Sequence, residues 1–218
     1  EDLARYPRTL SADLVIASQQ GCTVAYVPSV AEIYPSDNST FVEETSISKP
    51  LCGEFRPGHF RGVTTVVLKL LNQVQPHAAY FGLKDAQQFF VVQQMVRDLD
   101  VPVEIVGVPT VREASGLALS SRNSYLSDRE RAIAPRLWSI LQQTATGLKA
   151  KENSATEIEL VLNSAKSALT DCGFRVQYFE LREARTLNPV LRISPHGNYV
   201  LAASAYLGQT RLIDNIIF

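Results

Sequence analysis

Three short stretches of the chain gather residue types able to hold a phosphate or a carboxylate. The first is Phe81-Gly82-Leu83-Lys84-Asp85-Ala86-Gln87-Gln88. It follows an apolar run that reads as a strand and opens a helical pattern, and in doubly wound sheets ligands bind beyond such strand ends. Gly82 lets backbone approach a ligand, Lys84 brings a mobile positive charge for phosphate oxygens, and the helix start behind them favours anions. The same residues have a plain structural reading, with Asp85 as N-cap and Gln88 completing a capping box. The second stretch, Leu119-Ser120-Ser121-Arg122-Asn123, packs two hydroxyls beside a guanidinium. Those donors suit a polyphosphate or a developing phosphoryl charge, although a polar linker between domains would read the same way. Ser124-Tyr125 after Asn123 leaves no glycosylation sequon.

The third stretch is Arg56-Pro57-Gly58-His59-Phe60-Arg61-Gly62. Pro57 and Gly58 force a turn before a helix start, and Arg56 suits a carboxylate or a phosphate. His59 reads as a packed or capping side chain in preference to a base, and His77 and His196 sit in loops beside Pro. The three His lack metal-ligand spacing. No Gly-x-Ser-x-Gly elbow is present, and no Cys neighbours a His. The chemistry on offer is therefore positioning and charge stabilisation around a nucleotide.

The elements that must position these residues alternate. Apolar runs at 24–27, 78–81 and 103–108 read as buried parallel strands. Helical patterns cover 9–20, 61–75 and 85–98, the second with Val63, Val66, Val67, Leu70 and Leu71 at helical spacing. This alternation predicts an α/β doubly wound sheet with right-handed crossovers. The pattern changes near Val111. Ser127-Asp128-Arg129-Glu130 is a capping box opening a helix toward Thr146, and a second helix over 155–171 stops before Gly173. Strands follow at 176–181, 199–206 and 211–217, with Gly208-Gln209 as a tight hairpin between the last two. Helices followed by an antiparallel meander predict a small α+β second domain. The polar stretch 36–48 reads as a mobile loop.

With 218 residues, 45% hydrophobic and 20% charged, the chain has the composition of an ordinary globular protein. A net charge of -1 argues against broad electrostatic capture of nucleic acid or of an anionic membrane. Cys22, Cys52 and Cys172 are widely spaced and odd in number, which suggests reduced thiols and a cytoplasmic protein.

Taken in order, the runs Arg56 to Val63, Phe81 to Gln88, Val108-Pro109-Thr110-Val111-Arg112-Glu113 and Ser120 to Asn123 closely resemble the pantothenate synthetase family. Asp2-Leu3 and Tyr6-Pro7-Arg8-Thr9 share in the resemblance, which extends to Asp214 and so covers essentially the whole chain. It implies membership of the nucleotidyltransferase superfamily. The implied architecture is a Rossmann-like, doubly wound parallel sheet over 1–111, incomplete at its N-terminus, and a smaller α+β lid domain over 112–218. It also implies an ATP-dependent ligase that works in two steps. Pantoate carboxylate attacks the ATP α-phosphate to give pantoyl adenylate and pyrophosphate, and the β-alanine amine then displaces AMP. Mg²⁺ would accompany the phosphates.

Carried over residue by residue, the resemblance places Gly82, Leu83, Lys84 and Asp85 in the ATP site, Leu83 through its backbone only. Gln88 would hold pantoate, Arg56 would add a substrate-pocket charge and Val111 would contact the adenine side. Leu119, Ser120, Ser121 and Arg122 would be the counterpart of the superfamily's Lys-Met-Ser-Lys-Ser loop, and Lys84, Ser120, Ser121 and Arg122 would carry the chemistry. Leu83 stands where the family usually has Glu, and Ser115 where it usually has Asp. The start at Glu1, without Met, reads as a truncation point. The family's opening strand, its His-x-Gly-His helix start and its Asn-Pro-Thr-Gln-Phe segment would all precede Glu1. The expectation is thus a ligase sequence that is weak or inactive on its own. The alternative is a noncatalytic fragment keeping only nucleotide binding or assembly. Another transferase of the superfamily is a further reading, against which Gln88 and the 56–63 run argue. The implied partners are the small molecules pantoate, β-alanine and ATP, with no nucleic acid and no membrane. Relatives are commonly homodimers, and some carry a fused cytidylate kinase domain, here expected beyond Phe218.

Overall fold

The computed structural model describes residues 8–150, 152–194 and 196–218. Asp2, Leu3, Tyr6 and Pro7, which share in the family resemblance, lie outside the described residues. The chain divides into two units, Glu1–Thr40 and Phe41–Phe218. In the first, helix α1 (Leu10–Gln19) lies where the 9–20 pattern predicts it, and α2 (Val30–Ile33) is opened by a capping box of Ser29 with Glu32. Residues 24–27, expected as a strand, form none; Val24 is 80% exposed. A parallel strand exists only through ladder bonds to a neighbour, and no ladder includes this run.

The second unit begins with 41–48, expected as the later part of a mobile loop. It is instead tied down. The Glu44 carboxylate accepts from the backbone N–H of Ser46, Ile47 and Ser48. Val42 N donates to Thr65 Oγ1 (2.9 Å), and Thr64 Oγ1 donates to Val42 O (2.6 Å). After α3 (Cys52–Phe55), Gly58 turns the chain into α4 (His59–Val74). Strand β1 (Ala78–Gly82), helix α5 (Ala86–Asp98) and strand β2 (Glu104–Val108) form a βαβ unit, with β1 and β2 parallel from Ala78↔Glu104 to Gly82↔Val108. Leu71 of α4 meets Val92, Met95 and Val96 of α5, and the inner faces of both strands pack on that cluster.

The helix expected from Ser127 to Thr146 is two helices, α6 (Asp128–Ile133) and α7 (Arg136–Lys149). The break falls at Ala134-Pro135, because proline lacks the N–H a helix interior needs and its ring clashes with the carbonyl four residues back. The expected capping box at Ser127 and Glu130 is formed. Helix α8 (Ala155–Asp171) has its own box, Ser154 with Glu157, and ends before Gly173 at φ 92°. Strands β3 (Arg175–Glu183), β4 (Tyr199–Leu207) and β5 (Thr210–Ile217) make an antiparallel sheet in sequence order. Leu207 pairs with Thr210 across Gly208-Gln209. The left-handed φ of 56° at Gly208 alone is that of a type II′ turn, which glycine adopts without Cβ strain.

A parallel sheet with helices followed by an antiparallel sheet is the α/β plus α+β arrangement expected. Strand β4 is buried on both faces, which explains its apolar runs on either side of Ser204. Leu201, Ala203 and Ala205 meet Leu137, Leu141, Leu148 and Leu169 from α7 and α8. Val200 and Ala202, on the opposite face, meet Leu51, Phe60, Phe90 and Val91. Each such large apolar side chain contributes about 1.5–3 kcal/mol on full burial. This second face lays the antiparallel sheet over the start of α5, where the candidate residues stand.

Candidate functional site

A cleft of about 630 Å³, counting its open mouth, lies between the α5 start, the 51–60 segment and strands β4 and β5. Arg56, Lys84, Asp85, Gln88 and Arg122, which came from three separate stretches of sequence, all line it. A smaller adjoining recess shares Lys84 and Arg122 and adds Ser120.

Lys84 sits in a 3₁₀ turn, Leu83–Asp85, between β1 and α5. Burial pushes its ammonium below the ordinary lysine range, and Arg122 and Arg112 push the same way, while Asp85 and Asp214 oppose them. A half-buried lysine whose burial outweighs its neighbouring carboxylates gains from a further anion, which a phosphate supplies. Asp85 occupies the N-cap position of α5 but makes no side-chain cap hydrogen bond. The capping-box reading of Asp85 and Gln88 is therefore not realised, and both side chains face the cleft. Gly82 ends β1 with an ordinary extended backbone; a Cβ built there meets nothing within 4 Å, so open space lies beside it. The Leu83 side chain packs onto Gly107 of β2, leaving its carbonyl turned to the site's framework.

The two glutamines divide the work. Gln87, 8% exposed, donates Nε2–H to Ile47 O (2.9 Å) and Pro50 O (2.6 Å) and accepts from Cys52 N (3.0 Å). It lashes the 47–52 segment to the start of α5. Gln88, one residue on, is half-buried at the cleft wall. Arg56 lies 3.1 Å from His59 Nε2. A guanidinium can only donate, so that ring nitrogen accepts and the imidazole proton sits on Nδ1. His59 also lies against the Phe60 ring, and it lines the same cleft.

Residues 111–119 fold back on themselves. Leu119 N donates to Val111 O (2.9 Å), Glu113 N to Leu117 O (2.8 Å), and Arg112 bridges Ala118. Val111 and Leu119 are exposed and outside the cleft lining. Ser120 Oγ then accepts from Arg122 N (3.3 Å) and caps the short 3₁₀ turn Ser121–Tyr125. The loop is braced by Arg112. Its guanidinium donates twice to the Asp214 carboxylate (2.6 and 2.9 Å), once to Gly116 O (3.2 Å), and lies 3.3 Å from the Trp138 ring centroid. Gly116, at φ 92°, is required here, since a Cβ would stand 2.8 Å from Trp138 Cδ1. Gly116→Ala should cost about 1–3 kcal/mol. It should also shift the emission of Trp138, the single tryptophan of the chain. Unchanged melting and emission would show that the loop has room.

Sequence reasoning missed Arg112, Arg211, Asp214 and Asn215. The last three stand on β5 and line the cleft. Arg211 is held by Gln177 Oε1 (2.9 Å), and burial pushes the neighbouring Tyr178 phenol above its ordinary range. A signal was present. Along Thr210-Arg211-Leu212-Ile213-Asp214, the alternation puts Asp214 on the face of Leu212, and a carboxylate on a buried face demands a partner.

The model of the family described as pantoate-beta-alanine ligase matches residues 1–217. A pantothenate synthetase of Pseudomonas savastanoi is 49% identical over 99% of this chain and 75% of its own length. One from Shewanella amazonensis is 50% identical over 100% of this chain and 76% of its own. A solved pantothenate synthetase from Thermus thermophilus superposes with TM-score 0.89 at 40% identity, over 99% of this chain and 77% of that one. A pantoate-beta-alanine ligase from Francisella tularensis, solved with beta-gamma ATP and beta-alanine, superposes at TM-score 0.76 and 33% identity, over 99% and 72%. Family motif, sequence identity and fold agree along the same residues, and the chain belongs to the pantoate-β-alanine ligase family.

Proposed function

We propose that the chain carries the ATP-dependent joining of pantoate to β-alanine through a pantoyl-adenylate intermediate. The observation that carries this reading is the convergence of Arg56, Lys84, Asp85, Gln88 and Arg122 on one cleft. Lys84 and Arg122 meet the phosphates and offset charge as the carboxylate oxygen of pantoate bonds to the α-phosphorus and pyrophosphate leaves. Ser120 adds a hydroxyl donor beside them, and Ser121 is the next hydroxyl of the same loop, outside both linings. Gln88 orients pantoate, Arg56 meets a substrate carboxylate, and Gly82 and Leu83 supply close backbone. Val111 meets the adenine side, and Leu119, whose N–H donates to Val111 O, opens the 119–122 loop. The 1–111 part is the nucleotide and pantoate side, and 112–218 the lid.

Among the described residues no three metal-ligating side chains gather, and Asp85 makes no cap bond. That donor set fits Mg²⁺, which takes one or two carboxylates and fills its octahedron with phosphate oxygens and water. Asp85 would hold it, and the ion would supply charge neutralisation on the phosphates. Among the described residues no helix is long and apolar enough to cross a membrane.

The test is pantoate-dependent exchange of labelled pyrophosphate into ATP, run with Mg²⁺ on residues 1–218. Exchange that requires pantoate supports adenylation by these residues. A folded sample that binds ATP without any exchange favours the nucleotide-binding reading.

A further inference from the structure

The turn that carries Lys84 is not held by its own helix alone. Asn215 Nδ2 lies 2.8 Å from Leu83 O and 2.8 Å from Lys84 O. A carboxamide nitrogen has two hydrogens, so it gives one to each of two successive carbonyls and fixes both peptide planes. Asn215 is 8% exposed, where such bonds are costly to lose. It comes from β5, far along the chain. The adjacent residue, Asp214, binds Arg112, which braces the loop leading to Ser120 and Arg122. Two neighbouring residues of one strand thus hold the two segments that bring Lys84 and Arg122 together.

We propose that Asn215 is a positioning residue that fixes Lys84 by clamping the two carbonyls of its turn. Both of its N–H groups are engaged by backbone, so what those two bonds contribute to the reaction passes through the turn that carries Lys84. The kinetic consequence rests on the ligase reading; the clamp itself does not.

The experiment is a double-mutant cycle of Asn215→Ala with Lys84→Ala, read by pantoate-dependent pyrophosphate exchange. Asn215→Leu keeps the volume and serves where Asn215→Ala fails to fold. With Lys84 present, removing the carboxamide should cost about 10- to 10²-fold, the scale of a misplaced group. With Lys84 already gone, the same change should cost no more than about twofold. A merely structural asparagine would exact the same penalty in both backgrounds, and that result overturns the proposal. A second readout needs no turnover. Equilibrium binding of ATP should weaken about 10-fold in the Asn215 variants when Lys84 is present, and no more than about twofold when Lys84 is already alanine. If the parent chain shows no exchange, the ligase reading fails and the binding cycle decides the clamp alone. An equal loss of ATP binding in both backgrounds then overturns it.

Discussion

Lys84→Ala is expected to cut pantoate-dependent pyrophosphate exchange by ~10²–10³ while leaving the thermal midpoint near that of the parent. The two effects have one cause. Burial and two guanidinium groups hold Lys84 below the ordinary lysine range, so its folded pKa lies under its unfolded value. Between those values the unfolded chain binds more protons, and stability rises with pH. Below that window the folded state carries a cation it disfavours, and alanine relieves it. A bound polyphosphate reverses the balance by pairing the charge. Accordingly, ATP affinity in the parent should weaken with rising pH before an ordinary lysine would titrate. The variant should lack that limb of the profile. Retained exchange, or a melting loss as large as that of a core deletion, would assign Lys84 to structure instead.

Arg112→Ala should be the most destabilising of the site substitutions, by about 3–5 kcal/mol. The Asp214 side chain is 3% exposed and that of Arg112 17%, so the pair is desolvated. Removing the cation leaves a buried carboxylate without its bidentate partner and uncovers the Trp138 face. Adding Asp214→Asn should restore part of the loss, since no charge is left to strand. Urea unfolding of the single and double variants checks both. A loss under about 1 kcal/mol would place the pair in the class of solvated surface bridges.

Local signals were legible wherever one segment sets its own structure. The 3.6-residue spacing of Val63, Val67, Leu70 and Leu71, the boxes at Ser127 and the stop at Gly173 needed no knowledge of the rest of the chain. Residues 24–27 have the same apolar look as 78–81 yet form no strand, because pairing belongs to the neighbour as much as to the run. Pro135 is readable in the sequence as a helix break, and it parts the helix that the Ser127 box opens. For the site, residue type and order picked out Lys84, Arg122, Arg56 and Gln88. The same reasoning could not tell Gln87 from Gln88, since a difference of about 100° around the helix decides which becomes a strut and which lines the cleft. Asn215 lay beyond reach, because its carboxamide acquires a role only when β5 is laid beside the Leu83–Asp85 turn.

The Gln87 strut has a consequence for how the protein opens. The 47–52 segment has little backbone ladder of its own, and loops so built normally exchange their amides at the fraying end of the stability scale. Here Cys52 N–H ends on a side chain rooted in the first turn of α5, whose next turns bury Val91 and Val92 fully. Segment and helix therefore belong to one cooperative unit. The floor of the cleft cannot loosen without spending the free energy that holds the βαβ core, and it waits for ligand already set.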